Sequence, residues 1–143
     1  MRKGFTLIEI LTVLGIIAVI AGVSVTFLRG AAQEGILQAS ARDVASDLRY
    51  AAELSVSTQI NHAVRFDQVA SRYTVIELTT PETTIKQSSL TPGLSFSTIT
   101  LPQNQAEFNT LGAVVATGTV TILNQSGGTR LLDIRPSGYV QIR

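Results

Sequence analysis

Residues 5–28, FTLIEILTVLGIIAVIAGVSVTFL, hold a single charge, Glu9, in 24 positions. At ~1.5 Å rise per residue a helix of that length covers roughly 36 Å, more than the ~30 Å hydrocarbon core of a bilayer. Arg2 and Lys3 precede the run and only Arg29 closely follows it. By the positive-inside rule this bias places the N-terminus in the cytoplasm and the rest of the chain outside the membrane.

Ordinary explanations compete for such a run. A secretory signal peptide has an apolar core of ~7–15 residues with a small-residue cleavage site behind it. This run is longer and carries a carboxylate early. A buried core helix of this length and uniformity would be unusual. A single-span anchor fits the length, but a charge at mid-span costs on the order of 2.5–3.5 kcal/mol, less near a helix end where the side chain can snorkel. On these grounds alone an ordinary anchor and a specialised span both stay open.

The residues around Glu9 are more particular. Lys3-Gly4-Phe5-Thr6-Leu7-Ile8-Glu9 resembles the class III signal of type IV pilins and type II secretion pseudopilins. It has a short basic leader (residues 1–4), a glycine before the cut, an aromatic after it and a glutamate five residues into the mature chain. The resemblance implies that prepilin peptidase cuts between Gly4 and Phe5 and that Phe5 is N-methylated. It also implies that Glu9 pairs with the Phe5 amine of a neighbouring subunit. In a low-dielectric filament core a paired carboxylate is far cheaper than an unpaired one, so Glu9 would fix the stagger between helices. Loss of Arg2 and Lys3 takes the basic side chains from 11 to 9 against 10 acids.

The rest of the composition excludes more than it implies. The formal charge of +1 gives no bulk field for nucleic acid, and the absence of cysteine removes disulfides, thiolate zinc sites and cysteine nucleophiles. With His62 as its single histidine, the chain supplies no Ser-His-Asp set and no multi-histidine metal cluster. No catalytic residue, cofactor or metal is expected. The loop at residues 125–129 offers only neutral groups for calcium, and Asp133 stands alone in its strand.

After Arg29 the pattern becomes amphipathic. Leu37, Ala41, Val44, Leu48, Ala51 and Ser55 recur at alternating steps of four and three, which is one stripe of a helix. One helix is expected over residues 5–58, roughly 80 Å long. Its first half, 5–28, is the membrane and assembly segment, and its second, 29–58, packs on a sheet. Many pilins have a proline in the outer half of the span, where Thr26 stands here. Gly22 and Gly30 are candidate sites of local melting, with an unbroken helix as the alternative. Asp43 and Asp47 share a helix face near Arg42 and Arg49 and are expected to form a salt-bridged surface.

Beyond residue 59 the period changes to two. Strands are expected at 62–66, 73–78, 94–101, 106–109, 114–116, 119–123, 131–135 and 139–142. A hairpin crosses 124–129, where Gly127 and Gly128 permit positive φ. The polar segment 79–91 reads as a loop. The fold class is therefore α+β: a long N-terminal helix, its first half transmembrane, packed on a small antiparallel sheet domain at 59–143.

Residues 41–59, ARDVASDLRYAAELSVSTQ, the later RYTVIEL, and Phe108, Gly112, Asn124, Gly127, Gly128 and Gly138-Tyr139-Val140 are similar, in that order, to the GspH/FimT family of minor pilins and pseudopilins. That family implies the pilin fold and a structural, non-enzymatic subunit of a type IV pilus or a type II secretion pseudopilus. Its partners would be other pilins, prepilin peptidase, the inner-membrane platform protein and the assembly ATPase. It implies residence in the inner membrane before assembly, with an extracytoplasmic C-terminal domain. The alternative is a tip pilin that binds DNA during uptake. Arg130, Arg135 and Arg143 are its candidate contacts, although the chain lacks the clustered arginines after the last glycine that DNA-binding members carry.

Overall fold

The computed structural model describes residues 6–143, with side chains described at 6–22 and 30–143. The chain forms two compact units, one ending at Glu34 and the other Gly35–Arg143. A single helix, α1 (Leu7–Thr58), supplies the first and opens the second, and it runs through Gly22 and Gly30 without a break. Among the described residues no helix is long and apolar enough to cross a membrane. The apolar run with described side chains, 6–22, covers about 25 Å.

In the second unit the stripe read from the sequence is the buried one. Leu37, Ala41, Val44, Leu48, Ala51 and Ser55 are all 0% exposed. α1 stops where its side chains begin to compete for its own carbonyls. Ser57 and Thr58 hydroxyls both bond the Leu54 carbonyl (3.1 and 2.8 Å), and Gln59 takes a left-handed φ of 59°. The chain then reverses onto Ser55, whose hydroxyl bonds the Ala51 carbonyl at 2.9 Å and accepts the His62 N–H at 3.1 Å.

Eight strands follow: β1 (His62–Asp67), β2 (Arg72–Glu77), β3 (Thr83–Ser89), β4 (Leu94–Ile99), β5 (Gln105–Phe108), β6 (Gly118–Asn124), β7 (Thr129–Ile134) and β8 (Val140–Ile142). They divide into two four-stranded antiparallel sheets, ordered β3-β2-β1-β5 and β4-β6-β7-β8, where one small sheet was expected. The division is non-local: β4 joins β6 in the second sheet, while β5 returns to β1 in the first. Residues 114–116 form no strand. Val114 makes one isolated bridge to Phe108 instead. The polar segment 79–91 contains β3, an edge strand that among the described residues pairs only with β2.

Both sheets turn apolar residues toward the α1 stripe. Phe66 and Tyr73 of the first sheet meet Phe96 of the second, with ring centroids 5.4 and 6.4 Å apart and near-perpendicular planes. Such edge-to-face contacts add about 0.5–1.5 kcal/mol beyond the area they bury. The aromatics thus lock the two sheets into one core with the helix.

Candidate functional site

The candidate site begins at the start of α1. Thr6 precedes the first helical turn, and its hydroxyl accepts the Glu9 N–H at 3.4 Å while its carbonyl accepts the same N–H at 3.2 Å. Thr6 and Glu9 stand at the spacing of a capping box, and the helix dipole favours an acid in this turn. Glu9 therefore has a local reason to sit where it does. The signal for Thr6, a threonine three residues before a glutamate at the start of an apolar run, was present in the sequence and was missed. Arg2, Lys3, Gly4 and Phe5 lie outside the described residues.

From Leu7 to Ile20 the helix presents ten large aliphatic side chains, each at least 52% exposed and Leu7 the most at 78%. They surround the whole helix rather than one face, so no single contact surface within a water-soluble fold would cover them. Gly15 and Gly22 add gaps in that wall, since a Cβ at either would meet nothing within 4 Å. In chemical terms this surface can enter hydrocarbon or pack against other helices.

The second unit supplies no competing centre. Among the described residues no three His, Asp or Glu side chains gather as a metal would require. His62 is 1% exposed, and its Nδ1 lies 2.9 Å from the Ile60 carbonyl. It anchors the turn into β1. Asp47 does not join a salt-bridged surface with Arg42 and Arg49. It is 7% exposed, accepts the Tyr73 hydroxyl at 2.9 Å and pairs with Lys86 at 2.6 Å. Asp43 remains exposed. Arg49 reaches instead for the Val140 carbonyl at 3.4 Å.

The three candidate arginines do not converge. Arg135 and Arg143 each lie 3.7 Å from the Asp133 carboxylate, which neutralises one of their two charges. Arg130 points to the other side of β7, where its Nε donates to Gln38 of α1 at 2.8 Å. The period of two separates them, with Arg130 sharing a face with Leu132 and Ile134, and Asp133 the opposite one. No phosphate-tracking stripe results.

Residues 40–138 match the family described as Type II transport protein GspH, and residues 1–25 match the Prokaryotic N-terminal methylation motif. The minor pseudopilin EpsH from the Type 2 Secretion System of Vibrio cholerae is similar in structure. It is 18% identical with a TM-score of 0.64, over 75% of this chain and 95% of that one. The type IV minor pilin FimU of Pseudomonas aeruginosa is similar too, at 18% identity and a TM-score of 0.64, over 77% of this chain and 90% of that one. At that identity the likeness is one of fold. No curated protein matches the chain.

Proposed function

The chain belongs to the GspH family of type II transport proteins and carries the N-terminal methylation motif, and from that premise we propose that it is a minor pilin or pseudopilin matured by prepilin peptidase. The cut falls between Gly4 and Phe5, Phe5 is N-methylated, and the subunit joins a type II secretion pseudopilus or a type IV pilus through the first half of α1. Its role is structural rather than catalytic.

The observation that carries this reading is the sleeve of exposed aliphatic side chains from Leu7 to Ile20, on a chain whose second unit is complete without it. Each buried methylene is worth about 0.8 kcal/mol, so a helix of this kind stays in lipid until other helices replace the lipid. The described stretch continues in sequence through residues 23–28 to the full 24-residue run of 5–28. The anchored subunit thus sits in the inner membrane, with residues 59–143 outside the cytoplasm.

Glu9 of one subunit pairs with the Phe5 amine of the next. Methylation keeps that amine cationic, and desolvation makes an unpaired Glu9 costly inside a filament. Other pilins, the platform protein and the assembly ATPase are the partners this requires. The test is Glu9→Ala in the native host. Processing should continue while the fraction of subunit recovered in sheared filaments falls at least about tenfold, less than the full cost of about 3–5 kcal/mol for one lost desolvated ion pair. Normal incorporation would refute the pairing.

A further inference from the structure

The first sheet ends at β3, and β3 has one side unpaired. Along β2 the backbone bonds alternate. Leu78 N–H donates to Asn61 on the β1 side, and Leu90 N–H donates to Ser71 on the β3 side, both at 2.9 Å. In an antiparallel ladder this alternation turns the backbone N–H and C=O of Tyr73 and Val75 toward Ser88 and Lys86. Those of Gln87 and Ser89, one residue off, point away from the sheet. Among the described residues no hydrogen bond from outside the sheet reaches either backbone. Both residues are exposed, and the bulge opposite Val75/Ile76 confines the straight, open part of the edge to residues 86–89.

Beneath this edge lies a polar slot of about 290 Å³ between β3 and α1. Ser40, Asp43 and Ser46 line it from the helix, Lys86 and Ser88 line it from the strand, and Asp47 forms part of its floor. Ser40 meets Thr91 at one end (3.1 Å) and Asp47 meets Lys86 at the other. Asp43, between them on the helix, therefore stands beside Ser88 and Ser89. Asp47 is already satisfied by Tyr73 and Lys86. With two carboxylates against one ammonium, the slot carries a net charge of −1, and the exposed Asp43 supplies it.

We propose that the free edge of β3 and the slot beneath it form a strand-addition site for an extended peptide segment of a partner protein, with a lysine or arginine of that segment set across from Ser88 above Asp43. The Gln87 and Ser89 backbones provide the ladder bonds. Alternate side chains of the added strand then enter the slot, where small hydroxyl groups and Asp43 select a basic residue over an apolar or acidic one. The lining is mainly polar, with Leu90 its one aliphatic residue, so it offers little hold to an apolar anchor.

The test uses the full chain, isotopically labelled, in detergent micelles. The probe is a capped heptapeptide of alternating threonine and valine with a central lysine, against the same peptide with a central glutamate. The lysine peptide should slow amide exchange at Gln87 and Ser89 and shift the Ser88 and Asp43 resonances. Asp43→Asn should weaken binding about fivefold, the upper end for a surface ion pair, and the glutamate peptide should bind more weakly still. Gln87→Pro, which removes one outward N–H and leaves the β2 ladder intact, should abolish the protection. Equal binding of the two peptides, protection on a different strand, or no binding at about 1 mM peptide would each overturn the proposal.

Discussion

The Tyr73 hydroxyl donates a 2.9 Å hydrogen bond to Asp47 Oδ2, while Lys86 holds the other oxygen of the same carboxylate at 2.6 Å. α1, β2 and β3 are thereby joined at one buried charge. Tyr73→Phe leaves the packing in place but takes one partner from a carboxylate that is 7% exposed. It should cost about 1–2 kcal/mol in urea unfolding with an unchanged m-value. Tyr139→Phe, at a tyrosine 56% exposed, should cost less than about 0.5 kcal/mol.

The same contact makes the stability of the fold sensitive to alkali. Burial first, then the hydrogen bond to Asp47 and its charge, push the Tyr73 hydroxyl well above its ordinary value of 10.0. A raised value means that the unfolded chain loses this proton first. Tyr73 therefore contributes fully below pH 10.0, and that contribution falls as pH rises toward the folded-state value. Urea midpoints should drop between about pH 10 and 11.5 in the parent chain and drop less in Tyr73→Phe. Equal losses in the two would show that Tyr73 is not the group responsible.

At the acid end two carboxylates, the exposed Glu82 and the half-buried Asp67, act in the opposite sense. Arg65 bonds both oxygens of Glu82 (3.0 and 3.1 Å) and holds it below its ordinary value of 4.5. Asp67 is held below 3.8 chiefly by the Ala70 N–H, with Arg72 assisting. Lowered values give stability that is present above the ordinary carboxylate range and lost as pH falls through the folded-state values. Glu82→Gln should therefore lower the melting temperature slightly at pH 6 and bring it level with the parent near pH 3. A gap that persists at pH 3 would assign the effect to packing instead.

Two glycines with left-handed backbone separate conformation from crowding. Gly127 has φ 84° with nothing within 4 Å of a Cβ, whereas Gly138 has φ 76° and a Cβ there would run into the Gly112 carbonyl. Gly127→Ala should cost about 1 kcal/mol and Gly138→Ala about 2–3 kcal/mol, read as melting temperatures of the full chain. Equal losses would mean that the turn at residues 136–138 can shift away from Gly112.

The helix was legible because its buried face repeats with the helical period, from Leu37 through Ser55, and because the apolar run before it holds one charge. The leader was legible as a motif rather than as structure. β3 was hidden because TTIKQSS at the sheet edge shows no apolar alternation: five of its residues through Gln87, and Ser89, are exposed. Asp47 looked like a surface acid because its partners, Tyr73 and Lys86, lie 26 and 39 residues away, the second in a segment that reads as loop. The division into two sheets was hidden for a related reason. Strand periodicity identifies inward faces, but the pairing of β5 with β1 across three intervening strands is set by the tertiary core.

Entry into a filament by way of prepilin processing is tested most directly by the intact mass and N-terminal sequence of the protein recovered from membranes holding its native peptidase. The expected chain begins at Phe5 and is heavier by one methyl group than that sequence alone. A chain that keeps Met1 under those conditions would contradict this and leave Glu9 without the Phe5 amine to pair with.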